Sequence, residues 1–126
     1  GLCNIKYVDS NIKKRKIIYD LYNQLLSKSK LTLPNEETGY TPNYAYYNVL
    51  FDSETQLLNT VKLLNDNSIY PRRYFYPSLN KLPYINDAAK CPISEDISSR
   101  SLCLPFYTEL DEEVVSTIAD IILDVD

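Results

Sequence analysis

The residues best suited to chemistry sit in one run, Pro71-Arg72-Arg73-Tyr74-Phe75-Tyr76-Pro77-Ser78-Leu79-Asn80. Adjacent arginines on an extended segment point to opposite faces, so their guanidinium groups can serve different partners. One is suited to hold a phosphate or carboxylate in a two-pronged hydrogen bond, while the other lies on the surface. A strand bearing two solvated arginines is the plainer reading. The same run is rich in tyrosine, as is the whole chain: there are twelve tyrosines, three phenylalanines and no tryptophan. Tyrosine suits a wall packed on one side and wet on the other. That fits either a half-exposed sheet or a polar cleft.

Other catalytic equipment is missing. With no histidine in the chain, the commonest general base and metal ligand is absent. Gly1 and Gly39 are the only glycines, so no glycine-rich loop cradles a phosphate, and no GxSxG or HExxH motif occurs. Asp111, Glu112 and Glu113 read as the start of a helix rather than an acid pair. Cys3, Cys91 and Cys103 form no CxxC pair. They read as free thiols in a reducing compartment, without a zinc site. The residues alone therefore offer no catalytic, metal-binding or cofactor-binding set.

The elements that would position the arginines follow from periodicity. Apolar residues from Ile5 to Leu26 recur at near-helical spacing and predict one long helix over residues 2–28. The basic run Lys13-Lys14-Arg15-Lys16 inside it reads as a solvated face. Pro34, Gly39 and Pro42 mark a loop. Asn43 to Phe51 alternates and reads as a strand. Asp52 or Ser53 caps a second helix, with Leu57, Leu58, Val61 and Leu64 as its buried stripe and Asn67 at its end. Ile69 to Tyr76 reads as a second strand, at an edge because of Pro71. Ser94 to Arg100 reads as one or two helical turns and Leu102 to Phe106 as a third strand. Asp111 caps a last helix whose inner face is Val114, Ile118, Ile121, Ile122 and Val125. This order predicts an α+β (α/β layer) domain, a small sheet of about three strands covered by helices.

Composition sets the class. A chain of 126 residues, 44% hydrophobic and 24% charged, can bury one ordinary core. A net charge of −4 argues against nucleic acid as the partner. No apolar run is long enough for a membrane span, and the first residues lack a signal-peptide pattern. Without methionine, the chain is expected to be a processed product or a piece of a longer protein.

Several segments together carry a resemblance. Arg72-Arg73-Tyr74-Phe75-Tyr76-Pro77-Ser78-Leu79, followed by Leu82-Pro83-Tyr84, resembles the carboxy-terminal motif of the DegT/DnrJ/EryC1/StrS aminotransferases. Cys91-Pro92-Ile93-Ser94-Glu95-Asp96-Ile97-Ser98-Ser99-Arg100 is similar to that family's C-P, acidic stretch and S-x-R pattern. Leu102-Cys103-Leu104-Pro105-Phe106-Tyr107 resembles its L-x-L-P-L-Y strand, and Leu110 to Val114 the start of its last helix. Gly1 to Asp9 and Lys14-Arg15-Lys16 resemble the helix that connects its two domains. The segments fall in the family's order across nearly the whole chain.

The resemblance implies a small domain of the PLP-transferase kind, with residues 1–28 as the connecting helix from a large domain and 29–126 as the small domain. It implies transfer of an amino group from glutamate to a keto sugar carried on a nucleotide, of the dTDP-4-keto-6-deoxyhexose type. The parent enzyme would be a cytoplasmic homodimer serving surface-polysaccharide synthesis. PLP and its lysine would belong to the large domain, so this chain alone is expected to bind no cofactor and to be inactive. Where many relatives carry a His-Tyr pair, this chain has Tyr74 and Phe75, and Asn80 stands where many have a second histidine. The substrate contacts implied are Arg72, Arg73, Tyr74 and, at the start of the first strand, Asn43. Two other readings stand beside this one. A binding module of the same fold would never meet PLP. A free-standing small enzyme would need the acid–base residues that the chain lacks.

Overall fold

The computed structural model describes residues 2–36, 38–85 and 89–125. Gly1, at the head of the connecting-helix stretch, lies outside them, as do residues 86–88 of the loop and Asp126 at the chain's end. The elements run α1 (Leu2–Ile5), α2 (Val8–Leu25), β1 (Tyr47–Leu50), α3 (Glu54–Asp66), a 3-10 turn (Leu79–Lys81), α4 (Pro92–Arg100), β2 (Ser101–Leu104) and α5 (Glu112–Val125). Helix and sheet are mixed as expected. The expected first helix is instead two, separated by a turn at Lys6 and Tyr7, with no side-chain cap on α2.

The sheet has two strands among the described residues, not three. β1 and β2 are antiparallel, with Tyr47 opposite Leu104 and Leu50 opposite Ser101. The segment expected as the middle strand touches the sheet at one point, where Arg72 and Cys103 exchange backbone hydrogen bonds of 3.0 and 2.9 Å. Further pairing is blocked on both sides. Two residues along β2 stands Pro105, which has no N–H to give to Tyr70. On the other side the Tyr74 N–H turns to the Cys103 sulfur. Thr32 makes a matching single bridge to Leu50 at the opposite edge.

One face of the sheet presents Tyr47, Val49, Leu102 and Leu104 to the helices, and all four are buried. Ile18 and Tyr22 of α2 and Leu26, its C-cap, cover them at four-residue spacing, as i, i+4 residues share a helix face. α2 and α3 both pack on α5, and α4 packs on α3. α5 buries Val115, Ile118, Ala119 and Ile122, so Val115 takes the place expected for Val114, which is 37% exposed. On α3, Thr60 is buried and its hydroxyl donates to the Gln56 carbonyl at 3.0 Å, while Leu58, expected inside, is 50% exposed. The caps fall where expected. Ser53 Oγ accepts from the Gln56 N–H at 3.2 Å, and Asp111 Oδ1 from the Glu113 N–H at 3.2 Å.

Tyrosine fills this core because each hydroxyl finds a partner at its rim. Tyr22 donates to the Pro105 carbonyl (3.0 Å), Tyr47 to Asn23 Oδ1 (2.8 Å) and Tyr19 to the Pro34 carbonyl (3.0 Å). The Tyr22 and Tyr47 rings stack at 4.6 Å. Burial pushes both phenols far above the usual tyrosine range, so they stay neutral donors.

The segment after the arginines is tied to α4 by one carboxylate. Glu95 accepts from Asn80 Nδ2 (2.7 Å) and from the Cys91 N–H (3.0 Å), and pairs with Lys81 (3.0 Å). These partners, Asn80 first, hold the carboxyl down to about 2. A depressed carboxyl contributes stability above its unfolded value and loses it as pH falls through the folded one. The urea midpoint is therefore expected to drop between about pH 4.5 and pH 2. Glu95→Gln should flatten that part of the profile; an unchanged slope in the variant would remove Glu95 as its source.

Candidate substrate-binding site

Pairing with Cys103 fixes the backbone of Arg72, and its side chain reaches a cavity of about 270 Å³ beside the end of β2. Tyr46, Tyr70, Tyr74 and Tyr107 stand around it, with Cys103 and Pro105 also in its lining. The Arg72 side chain has no hydrogen-bond or ion-pair partner among the described residues, and neither do the four tyrosine hydroxyls. A free guanidinium ringed by phenols is a set of donors suited to a phosphate and the oxygens around it. No carboxylate or lysine lines the cavity. Burial pushes the Cys103 thiol up to about 11, so it is a protonated wall group rather than a nucleophile. This wall is equipped to bind and orient an anion.

The structure places the four expected contacts in three settings. Arg72 and Tyr74 line this cavity together. Arg73 turns the other way, as alternation requires. Its Nη2 donates to Glu54 at 2.8 Å and to the Ser99 carbonyl at 2.6 Å, and its guanidinium lies 3.8 Å over the Tyr76 ring. It thereby joins the first turn of α3, the last turn of α4 and the arginine run. Asn43 lines a second cavity of about 230 Å³ with Glu36, Tyr40 and Tyr44. The two cavities adjoin, because Ala45 and Tyr46 line both.

The wall between them is held firmly. Tyr44 has φ +50°, a left-handed conformation uncommon for a non-glycine residue. Its hydroxyl donates to Glu36 (2.8 Å), its carbonyl accepts from Arg15 (3.1 Å) and its ring meets Tyr19 at 5.1 Å. Asn43 Oδ1 accepts from the Ala45 N–H at 3.1 Å, closing the turn. Arg15, expected on a solvated face, thus holds the turn that presents Tyr46. The Tyr46 ring in turn leans on Tyr74 (5.6 Å) and Phe75 (6.2 Å).

A larger groove of about 620 Å³ lies on the far side of Tyr74, walled by Phe75, Leu79, Ile93 and Ile97. It has no charged residue in its lining, so it offers no anchor for an anion. Among the described residues no group of His, Cys, Asp and Glu could hold a metal ion. No helix among them is long and apolar enough to cross a membrane.

Residues 1–123 match the profile of the DegT/DnrJ/EryC1/StrS aminotransferase family. The chain belongs to that family. It is 33% identical over 131 residues to the dTDP-4-amino-4,6-dideoxy-D-glucose transaminase of Escherichia coli, a match covering 98% of this chain and 35% of that protein. Its fold matches the aminotransferase TlmJ of Streptoalloteichus hindustanus with a TM-score of 0.87 at 23% identity, covering 95% of this chain and 33% of that one. It also matches a Streptococcus pneumoniae protein in its PLP form, with a TM-score of 0.83 at 19% identity, covering 99% and 33%. The chain therefore spans about a third of the length of the DegT/DnrJ/EryC1/StrS relatives it matches.

Of the contacts expected from the sequence, Arg72 and Tyr74 line this cavity; Tyr46, Tyr70 and Tyr107 line it too but were not singled out. The tyrosine excess signalled a polar cleft without saying which tyrosines form it.

Proposed function

We propose that this chain is the carboxy-terminal part of a PLP-dependent aminotransferase acting on a nucleotide-linked keto sugar of the dTDP-4-keto-6-deoxyhexose type. The observation that carries the reading is the free Arg72 guanidinium among four free phenols, in a chain of this family. On this reading residues 1–28 are the connecting segment and 29–126 the small domain. Arg72 meets the diphosphate, and Tyr74 donates its hydroxyl to a neighbouring oxygen. Arg73 and Asn43 shape the backbone on either side, through Glu54 and the Ala45 N–H.

PLP, when bound, accepts the electron pair released during amino transfer from glutamate to the sugar. Neither cavity includes a lysine among the described residues, and on this reading the cofactor's anchoring site belongs to the other two-thirds of the protein. What this wall does is hold the substrate's phosphate end still, and orientation of that kind is worth orders of magnitude in rate. The intact enzyme is a cytoplasmic homodimer, and its product serves surface polysaccharide.

The reading frame upstream of the Gly1 codon tests this cheaply. A large domain with a cofactor lysine is expected there. A start codon or an unrelated domain at that place would make the chain a binding module instead.

A further inference from the structure

One wall of the Arg72 cavity is set from outside the sheet. Tyr47 and Val49 face the helices and are buried, so an unbroken strand would turn Tyr44 and Tyr46 together to the other face. The structure separates them. Tyr44 is 8% exposed and packs on Tyr19, while Tyr46 is 56% exposed and lines the cavity. The step between them is the left-handed backbone of Tyr44, at φ +50°. A tyrosine keeps such a conformation only where its surroundings hold it.

A side chain of α2 holds that backbone. Arg15 Nη1 donates to the Tyr44 carbonyl at 3.1 Å, and its Nε donates to the Asn11 carbonyl of its own helix at 3.4 Å. The second bond aims the guanidinium, and the first is charge-assisted, the stronger kind. In the basic run 13–16, Lys13, Lys14 and Lys16 are exposed and Arg15 is half-buried. Glu36 and Tyr19 meet the hydroxyl and the ring of Tyr44. Those contacts anchor the side chain. The bond to the carbonyl instead fixes the plane of the peptide that leads to Ala45, and with it the direction of the chain toward Tyr46. Without it, the alternating pattern of residues 43–51 favours an extended chain, which would carry the Tyr46 ring off Tyr74 and Phe75.

We propose that Arg15 is a positioning residue for substrate binding: by holding the Tyr44 carbonyl it keeps the Tyr46 phenol in the wall of the Arg72 cavity. This rests on the reading of Arg72 as the diphosphate contact, and the test separates the two. Steady-state kinetics of the intact, PLP-loaded enzyme provide it. Arg15→Ala should raise KM for the nucleotide sugar about fivefold, the scale of one lost hydrogen bond, and leave kcat and KM for glutamate within about twofold. Alanine is the best helix former, so α2 should persist. Should that variant not fold, Arg15→Gln, too short to reach the Tyr44 carbonyl, should give the same shift. Tyr46→Ala should raise KM for the nucleotide sugar at least as much, and Arg15→Ala added to it should raise KM no further. An Arg15 effect that persists at full size in the Tyr46→Ala background would show that Arg15 acts by another route and overturn its role. So would an effect that falls on kcat or on KM for glutamate, or no effect in a folded Arg15 variant. Arg72→Ala in the same assay separates the readings. If it weakens use of the nucleotide sugar while Arg15→Ala does not, the role of Arg15 falls and the Arg72 reading stands. If Arg72→Ala leaves kcat/KM for the nucleotide sugar unchanged, both fall.

Discussion

Tyr47→Ala is expected to destabilise the chain by about 3 to 5 kcal/mol, the scale for removing a large buried aromatic side chain. Tyr47 is fully buried where α2 meets β1. Its ring touches Tyr22 at 4.6 Å, Tyr19 at 5.5 Å and Phe106 at 6.1 Å, so truncation opens a cavity beside three aromatic neighbours. A loss on that scale is a large part of a single domain's stability. Urea denaturation with a far-UV signal measures it. Tyr47→Phe keeps the ring and gives up only the hydrogen bond to Asn23, so about 1 kcal/mol is expected there. Equal losses in the two variants would mean that the hydroxyl, not the packing, dominates.

Arg72→Ala in the intact enzyme should cut kcat/KM for the nucleotide sugar by roughly 10- to 150-fold. That is the scale of about 1.5 to 3 kcal/mol for hydrogen bonds to a charged group. The bound-PLP absorbance should not change if, as proposed, the cofactor is held by the rest of the protein. Stability should change little, since the Arg72 side chain is exposed and bonded to nothing among the described residues. Arg72→Lys should restore part of the activity through charge, without the two-pronged geometry. Lost PLP absorbance with unchanged use of the nucleotide sugar would contradict the assignment.

The later helices, their caps and the last strand were legible in the sequence because each depends on local spacing, whereas the break at Lys6 and Tyr7 in the first helix was not. Ser53 and Asp111 cap as their residue types suggest, and Leu102 and Leu104 point inward as alternation requires. The sheet was read too long where a non-local contact overrides a local pattern. Asn43 to Tyr46 alternates like a strand, yet Tyr44 turns left-handed because Arg15, Glu36 and Tyr19 hold it from three sides. Ile69 to Tyr76 has strand composition, but Pro105, just past β2, lacks the N–H needed to extend the ladder. The site followed the same rule. Alternation separates Arg72 from Arg73, but the Glu54 carboxylate that engages Arg73 lies 19 residues away. Of the tyrosines that surround Arg72, Tyr70 and Tyr74 are its near neighbours in sequence, but Tyr46 and Tyr107 come from two distant segments.

The central claim is that this fold forms the substrate-holding wall of a sugar-nucleotide aminotransferase. Its most direct test is amino transfer by the purified full-length protein, supplied with PLP, glutamate and dTDP-4-keto-6-deoxyglucose. Formation of the dTDP-amino sugar together with 2-oxoglutarate is the predicted result. No amino sugar from a folded, PLP-loaded protein with dTDP- or UDP-linked keto sugars would contradict it.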